Sequence, residues 1–348
     1  MNNFNLIFPG QGSQTVGMGL DLYQNHKKAK EVFDEVDDTL NFKLSKIIFD
    51  GPSELLKLTE NTQPAIMATS LAVVKVVEDE LKKDITSFSE IVLGHSLGEY
   101  SALCSINSLT ISETTKILQQ RGKAMQQSVG GIETKMVAII GLDIVNLENE
   151  LKKFIIKENE VCEIANDNCP GQIILSGTRN AIEDFSEVLK KNGARSVIDL
   201  NVSAPFHCSL MNKASKIMEE VLKDTDFKNL NTKFISNVTA KIENDVNKIK
   251  GLLIDQISSR VRWRESVLVA EKMGSKTFLE VGNGNVLSGM NKRISKNITT
   301  QNLLDMKSIE QFINQEELID LMQKHKFQKC SYRNFSNGIV SIHSGWKV

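Results

Sequence analysis

The chain predicts an α/β protein: a large domain around a mainly parallel sheet, with a small domain inserted into it. Three observations carry this. Short apolar runs alternate with segments of helical period along most of the 348 residues, the pattern of strands covered by helices. Residues 129–203 depart from it and read β-α-β-β-α-β, the ferredoxin-like order. The apolar run IVLG at 91–94 passes directly into HSLGEY, a strand-to-helix corner with a serine in it. The expected division is 1–128 plus 204–315 for the large domain, 129–203 for the ferredoxin-like one, and 316–348 as an extension of unassigned structure.

Taken in order, FNLIF (4–8) is a short strand that ends at Pro9, and PGQGSQ follows as a loop. Residues 62–83 carry apolar positions at helical spacing and close on lysines, which favour a helix C-terminus. Residues 91–93 are a buried strand, and 97–106 are the helix behind it. Residues 112–128 open on Ser-x-x-Thr and run as a helix up to Gly130-Gly131. In the insert, 135–142 is a strand followed by a charged helix to about 157. Segments 162–167 and 171–178 form a hairpin across Asn168-Cys169-Pro170, followed by a helix at 179–192 and a strand at 195–202. The large domain resumes with a helix (209–223), a strand (232–238), a helix (247–259), a strand (278–282) and a helix (286–295). The tail is rich in aromatic residues but shows no clear period.

Composition narrows the function class. Hydrophobic residues make up 41% and charged residues 24% of the chain, with a formal net charge of −1. Such a balance gives no global attraction to nucleic acid or to a membrane surface. Cys104, Cys162, Cys169, Cys208 and Cys330 are an odd set without a Cys-x-x-Cys pair. That argues against a disulfide framework or a zinc site and fits a reducing compartment. The start, MNNFNLIFPGQGSQ, lacks a basic region followed by a long apolar core, and no apolar run is long enough to span a bilayer. A soluble, cytoplasmic, monomeric protein is expected.

Ser96 lies between Gly94 and Gly98 at the predicted corner. Gly-x-Ser-x-Gly alone is weak, but a strand before it and a helix after it are the setting of a nucleophile. A serine hydroxyl needs a base at neutral pH. Of the five histidines, His26 sits in a charged helix, His325 and His343 lie in the tail, and His95 adjoins the serine but points to another side of the bend. His207, in NVSAPFHCSLM, follows a strand end at a proline-containing loop, where α/β proteins place working residues. PGQGSQ offers free backbone amides suited to an oxyanion hole, although a plain glycine turn explains it equally. Arg121, among small and apolar neighbours in LQQRGKAMQQ, is either paired with an acid or kept for a substrate carboxylate.

FPGQGSQ, GHSLGEYSAL, QRGKAMQ, SAPFHCSLM and EVGNGNVLSGM stand in this order over about residues 4–305. In these motifs the chain resembles the malonyl-CoA:acyl carrier protein transacylases of bacterial type II fatty acid synthesis. The resemblance implies an α/β-hydrolase-like large domain and a ping-pong transfer. Ser96 would take the malonyl group from malonyl-CoA, and His207 would accept the serine proton and pass it to the leaving thiol. The phosphopantetheine thiol of acyl carrier protein would then collect the group. It also implies an oxyanion hole from the N–H groups of Gln11 and Leu97, and a carboxylate clamp at Arg121. His95 and Phe206 would line the pocket, with Phe206 matching malonyl rather than branched units. A backbone carbonyl near Arg262 would orient the histidine.

No metal or organic cofactor is implied. The carrier protein is acidic, so a basic rim is expected, with Arg260, Arg262, Arg264, Lys292 and Arg293 as candidates. Asn283 stands where the family commonly has proline, and the tail from about Glu316 runs past the family's usual end. Three rivals remain at this stage. An α/β-hydrolase-type esterase or thioesterase would want an acid after Ser96 and a C-terminal histidine. A dead carrier-binding module would lack the serine, histidine and arginine. A discrete acyltransferase serving a polyketide synthase would share the chemistry.

Overall fold

Two apolar runs set the centre of the fold, because strands buried on both faces need apolar side chains on both. A computed structural model describes residues 4–274, 276–335 and 340–347. In chain order the strands are β1 (Phe4–Phe8), β2 (Ser89–Gly94), β3 (Thr134–Ile140), β4 (Cys162–Cys169), β5 (Gln172–Thr178) and β6 (Ser196–Asp199). They continue as β7 (Lys233–Ile235), β8 (Ile242–Glu243), β9 (Thr277–Val281), β10 (Thr299–Leu303), β11 (Phe327–Phe335) and β12 (Val340–Lys347). β1 and β2 pair in parallel at the middle of a sheet ordered β10-β9-β1-β2-β7-β8. Its pairings are parallel except for the last, where the two-residue β8 turns back on β7.

Helices cover both faces of this sheet. On one side, the 23-residue helix Thr59–Leu81 is buried along most of its length and packs with Ile111–Gln127 over Leu6, Phe8 and Val92. On the other, Ile7, Ile91 and Leu93 meet Trp263 and Val267 of helix Trp263–Lys272. Alternate residues of β1 and β2 thus feed different cores, as the strand period of two requires. Both strands end at one rim, and the loops there carry Gln11 and Ser96.

β3 to β6 form a separate antiparallel sheet in the order β4-β5-β3-β6, backed by helices Ile144–Lys153 and Arg179–Lys191 around Phe185 and Leu189. This sheet is stitched to the segment before helix Trp263–Lys272 where Asn166 bridges Val261; Asp167 donates N–H to Val261 O at 2.9 Å, and Val261 donates to Ala165 O at 2.8 Å.

Several boundaries differ from the sequence reading. The hairpin turns at Pro170-Gly171 rather than across Asn168–Pro170, with Gly171 at φ +70°. Helix Ile111–Gln127 starts at Thr110, whose hydroxyl accepts from Glu113 N–H while Glu113 accepts from Thr110. That reciprocal cap outcompetes the Ser112 start. Residues 15–61, where only a charged helix around His26 was read from sequence, hold the helices Leu20–Asn25, Lys27–Leu40, Leu44–Asp50 and Ser53–Lys57, with His26 at the junction of the first two. In the tail, helix Met306–Lys324 runs straight through the 315/316 boundary. Its Phe312 packs edge-on against Phe4 at 5.4 Å, so the helix joins the large core before the β11–β12 hairpin leaves it. Among the described residues no helix is long and apolar enough to cross a membrane.

Candidate functional site

The corner after β2 is built by backbone contact. A Cβ on Gly94 would lie 1.9 Å from the Gly98 carbonyl carbon, and one on Gly98 would lie 2.2 Å from Phe8 O. Only glycine at both positions lets β1, the corner and helix Gly98–Ser105 close on one another. Ser96, between them, is held at φ +54°, a conformation that costs a non-glycine residue about 1 kcal/mol or more. What holds it is Asn237: its Oδ1 accepts Ser96 N–H at 2.8 Å, and its Nδ2 donates to Gly94 O at 2.7 Å.

His207 comes from the loop after β6 and also sits at positive φ, +60°. Its Nε2 is 2.8 Å from Ser96 Oγ, and its Nδ1 is 2.8 Å from Gln256 O. A carbonyl oxygen can only accept, so Nδ1 carries the proton and Nε2 is left to receive one from the serine. Burial, reinforced by the Arg121 charge and opposed by the Gln256 carbonyl, pushes the imidazole down to about 3. The ring is therefore neutral at physiological pH, with Nε2 free to accept a proton. The orienting carbonyl belongs to Gln256 in the turn Gln256–Ser258, not to the segment near Arg262; helix Val246–Asp255 ends early and turns this group toward the histidine.

Arg121 is 1% exposed. Its Nη1 donates to Gln63 Oε1 at 2.8 Å, and its Nη2 donates to Gln256 Oε1 at 2.8 Å and to Ser96 Oγ at 3.2 Å. The face of Tyr100 lies 5.7 Å from the guanidinium carbon, and Nε has no partner. Burial lowers its proton affinity from the ordinary value, yet a guanidinium stays charged in a protein. Its direct partners are two neutral amides and a hydroxyl rather than an acid.

A cavity of about 430 Å³ opens onto Ser96, His207 and Arg121, and Gln11, Leu97 and Phe206 line it. Among the described residues no acceptor takes the Gln11 or Leu97 N–H, so both are available to an incoming oxygen. Asn283 steadies the loop that carries Gln11, donating to Ser13 O at 2.5 Å and Thr15 Oγ1 at 3.0 Å. A larger groove of about 960 Å³ runs past Lys292, Gln301 and Tyr332 but contains no histidine or acid; the reactive groups converge on the smaller one. His95 lines the smaller cavity, with Nε2 2.9 Å from Asn168 Oδ1, and burial lowers its proton affinity.

Other candidates fall elsewhere. His325 caps the Met306–Lys324 helix, His343 stacks on Tyr332 at 5.4 Å, and neither lines the cavity, so the tail histidines of the esterase reading are not brought to the serine. In the basic rim, Arg260 pairs with Glu148, Arg262 with Glu265 and Arg264 with Asp167, while Arg293 donates to Gln172 and Pro170 O. Gln63, Asn237, Gln256 and Glu99 were not singled out from sequence. Glu99 carried one usable signal, the one charged residue of its helix, and it is fully buried. Among the described residues no cluster of three or more histidine, cysteine, aspartate or glutamate side chains could hold a metal.

The class follows from the acyl transferase domain family, whose model matches residues 5–337. Among curated relatives, the malonyl CoA-acyl carrier protein transacylase of Bacillus subtilis (strain 168) is 42% identical over 313 residues, covering 89% of this chain and 96% of that protein. The chain belongs to the family of malonyl CoA-acyl carrier protein transacylases. Among solved structures, the acyl-carrier-protein-S-malonyltransferase from Bartonella henselae superposes with a TM-score of 0.86 at 41% identity, covering 90% of this chain and 99% of that one. A malonyl-transacylase solved in complex with its type II PKS acyl-carrier protein gives 0.85 at 33% identity, covering 90% and 99%.

Proposed function

We propose that this chain moves a malonyl group from malonyl-CoA to the phosphopantetheine thiol of an acyl carrier protein through an ester on Ser96. The observation that carries the reading is the 2.8 Å contact between Ser96 Oγ and the Nε2 of a histidine whose Nδ1–H is fixed by Gln256 O. As Ser96 Oγ attacks the thioester carbonyl, its proton passes to His207 Nε2. The developing oxyanion turns to the N–H groups of Gln11 and Leu97, worth about 3 kcal/mol per donor. The carbon–sulfur bond then breaks, and His207 returns the proton to the CoA thiolate. In the second half the pantetheine thiol gives its proton to His207 and attacks the serine ester, restoring Ser96. Arg121 takes the free carboxylate of malonyl; an acetyl group leaves that buried charge unmatched, which is how a site built for a polar group rejects an analogue without it. Phe206 and His95 line the acyl pocket.

Further readings rest on the same footing. The βαββαβ order supports a ferredoxin-like insert at 129–203 within an α/β-hydrolase-like domain of 1–128 and 204–324, which takes in helix Met306–Lys324. Enzyme and carrier meet in the cytoplasm, with the enzyme a monomer. The test is transfer of radiolabel from malonyl-CoA to holo acyl carrier protein. Label should reach the carrier with the native chain and not with Ser96→Ala. Full transfer by Ser96→Ala, or rapid release of free malonate without carrier, would overturn the reading, the latter in favour of a hydrolase.

A further inference from the structure

Glu99 has no role in the transfer steps, yet it lies fully buried one helical turn from Ser96. Both its oxygens face donors. Oε1 accepts Asn237 N–H at 2.6 Å, and Oε2 accepts Gln256 Nε2. The first donor is a backbone amide and cannot reverse. The second is a side-chain amide whose orientation is set from outside. Gln256 Oε1 faces Arg121 Nη2 at 2.8 Å, which can only donate, and Nε2 faces Ser96 O at 2.9 Å, which can only accept. A flipped Gln256 would put nitrogen against the guanidinium and oxygen against a carbonyl. Glu99 therefore meets two obligate donors, one on each oxygen.

Gln256 joins the three groups that matter. Its side chain anchors Arg121, its main-chain carbonyl orients His207, and its amide reaches the carbonyl of Ser96. We propose that Glu99 is a positioning residue of the transfer site, whose carboxylate fixes the Gln256 amide so that Arg121 is aimed at the acyl pocket and His207 at Ser96. When ionised, Glu99 also places a negative charge one amide away from the Arg121 cation, which steadies the guanidinium. Burial opposes this, pushing the Glu99 carboxyl up to about 8, while the two donors and Arg121 pull it back. Burial thus makes the anion costly, and the two donors favour it.

Replacing Glu99 with glutamine is not conservative here. With its oxygen on Asn237 N–H, its NH₂ meets Gln256 Nε2 donor to donor, and relief comes only if the Gln256 amide swings away from Arg121.

This inference rests on the malonyl-transfer reading, and the experiment separates the two. Malonyl transfer is measured for the native chain, Glu99→Gln, Gln256→Ala and the double variant, with melting temperatures alongside. Gln256→Ala keeps the main-chain carbonyl that His207 uses. Glu99→Gln and Gln256→Ala should each lower kcat/KM for malonyl-CoA about 100-fold, the scale of a misplaced reactive group, and discrimination against acetyl-CoA should fall with it. In the Gln256→Ala background, Glu99→Gln should cost less than about threefold, because a residue that acts through another adds nothing once that partner is gone. Full additivity, or a native rate in folded Glu99→Gln, overturns the proposal. Should Glu99→Gln not fold, Gln256→Ala decides: a rate within threefold of native contradicts the role given to its side chain. If the native chain takes up no malonyl group, the proposed function fails first.

Discussion

Arg264 and Arg121 are two arginines used in opposite ways, the first partly exposed and the second buried. Arg264, on helix Trp263–Lys272, forks onto the β4 carboxylate of Asp167 with three contacts of 2.8–3.1 Å, and Asp167 is 1% exposed. That pair closes the seam between the small sheet and this helix beside the Asn166–Val261 bridge, and its charges cancel within the fold. Arg121 is itself buried and is held by the amide oxygens of Gln63 and Gln256. A satisfied ion pair fixes architecture; a cation held in place but not neutralised is a receptor for an anion.

The largest effect expected from breaking this contrast is on stability at the seam. Arg264→Ala strands the buried Asp167 carboxylate and should cost about 3 kcal/mol in urea unfolding, with the preference for malonyl-CoA over acetyl-CoA intact. The reverse pattern is expected at the other site. Arg121→Met should lower kcat/KM for malonyl-CoA about 100-fold, close to 2.7 kcal/mol, and narrow the gap to acetyl-CoA. Unchanged selectivity would mean that the carboxylate is read elsewhere.

The His207 imidazole gives a third signal, spread over pH. His207 has its proton affinity lowered to about 3 in the fold, whereas an unfolded histidine titrates near its ordinary value of about 6.5. Between these values the unfolded chain binds the proton and the folded chain does not, so stability should fall as pH drops from 6.5 toward 3. The slope is at most about 1.4 kcal/mol per pH unit. His207→Gln should remove that component from a pH series of melting curves; an identical slope would place the effect in other groups. Smallest of all, Arg262→Ala breaks an exposed pair with Glu265 and should change stability by less than about 1 kcal/mol.

The sequence was informative where chemistry is local. Gly94, Ser96 and Gly98 declare a tight corner because close backbone approach leaves a mark within five residues, and the insert's strand order follows from its alternating periods. Arg121 could be recognised as odd but not explained, since its partners Gln63 and Gln256 lie 58 and 135 residues away. Asn237, which holds the serine backbone from 141 residues off, looks like any loop asparagine. The orienting carbonyl was misplaced from Gln256 to the Arg262 region for a related reason: a backbone acceptor has no side-chain signature, and only the early end of helix Val246–Asp255 turns it inward. Helix Met306–Lys324 was obscured because its buried face, with Ile309, Phe312 and Ile319, is interrupted by the buried Gln315 and Glu316.

Intact-mass measurement after exposure to malonyl-CoA, and again after adding holo acyl carrier protein, tests the central claim most directly. The native chain should gain one malonyl group and lose it to the carrier, while Ser96→Ala gains none. A malonyl adduct of full stoichiometry on Ser96→Ala, or one that the carrier cannot discharge from the native chain, would contradict the account.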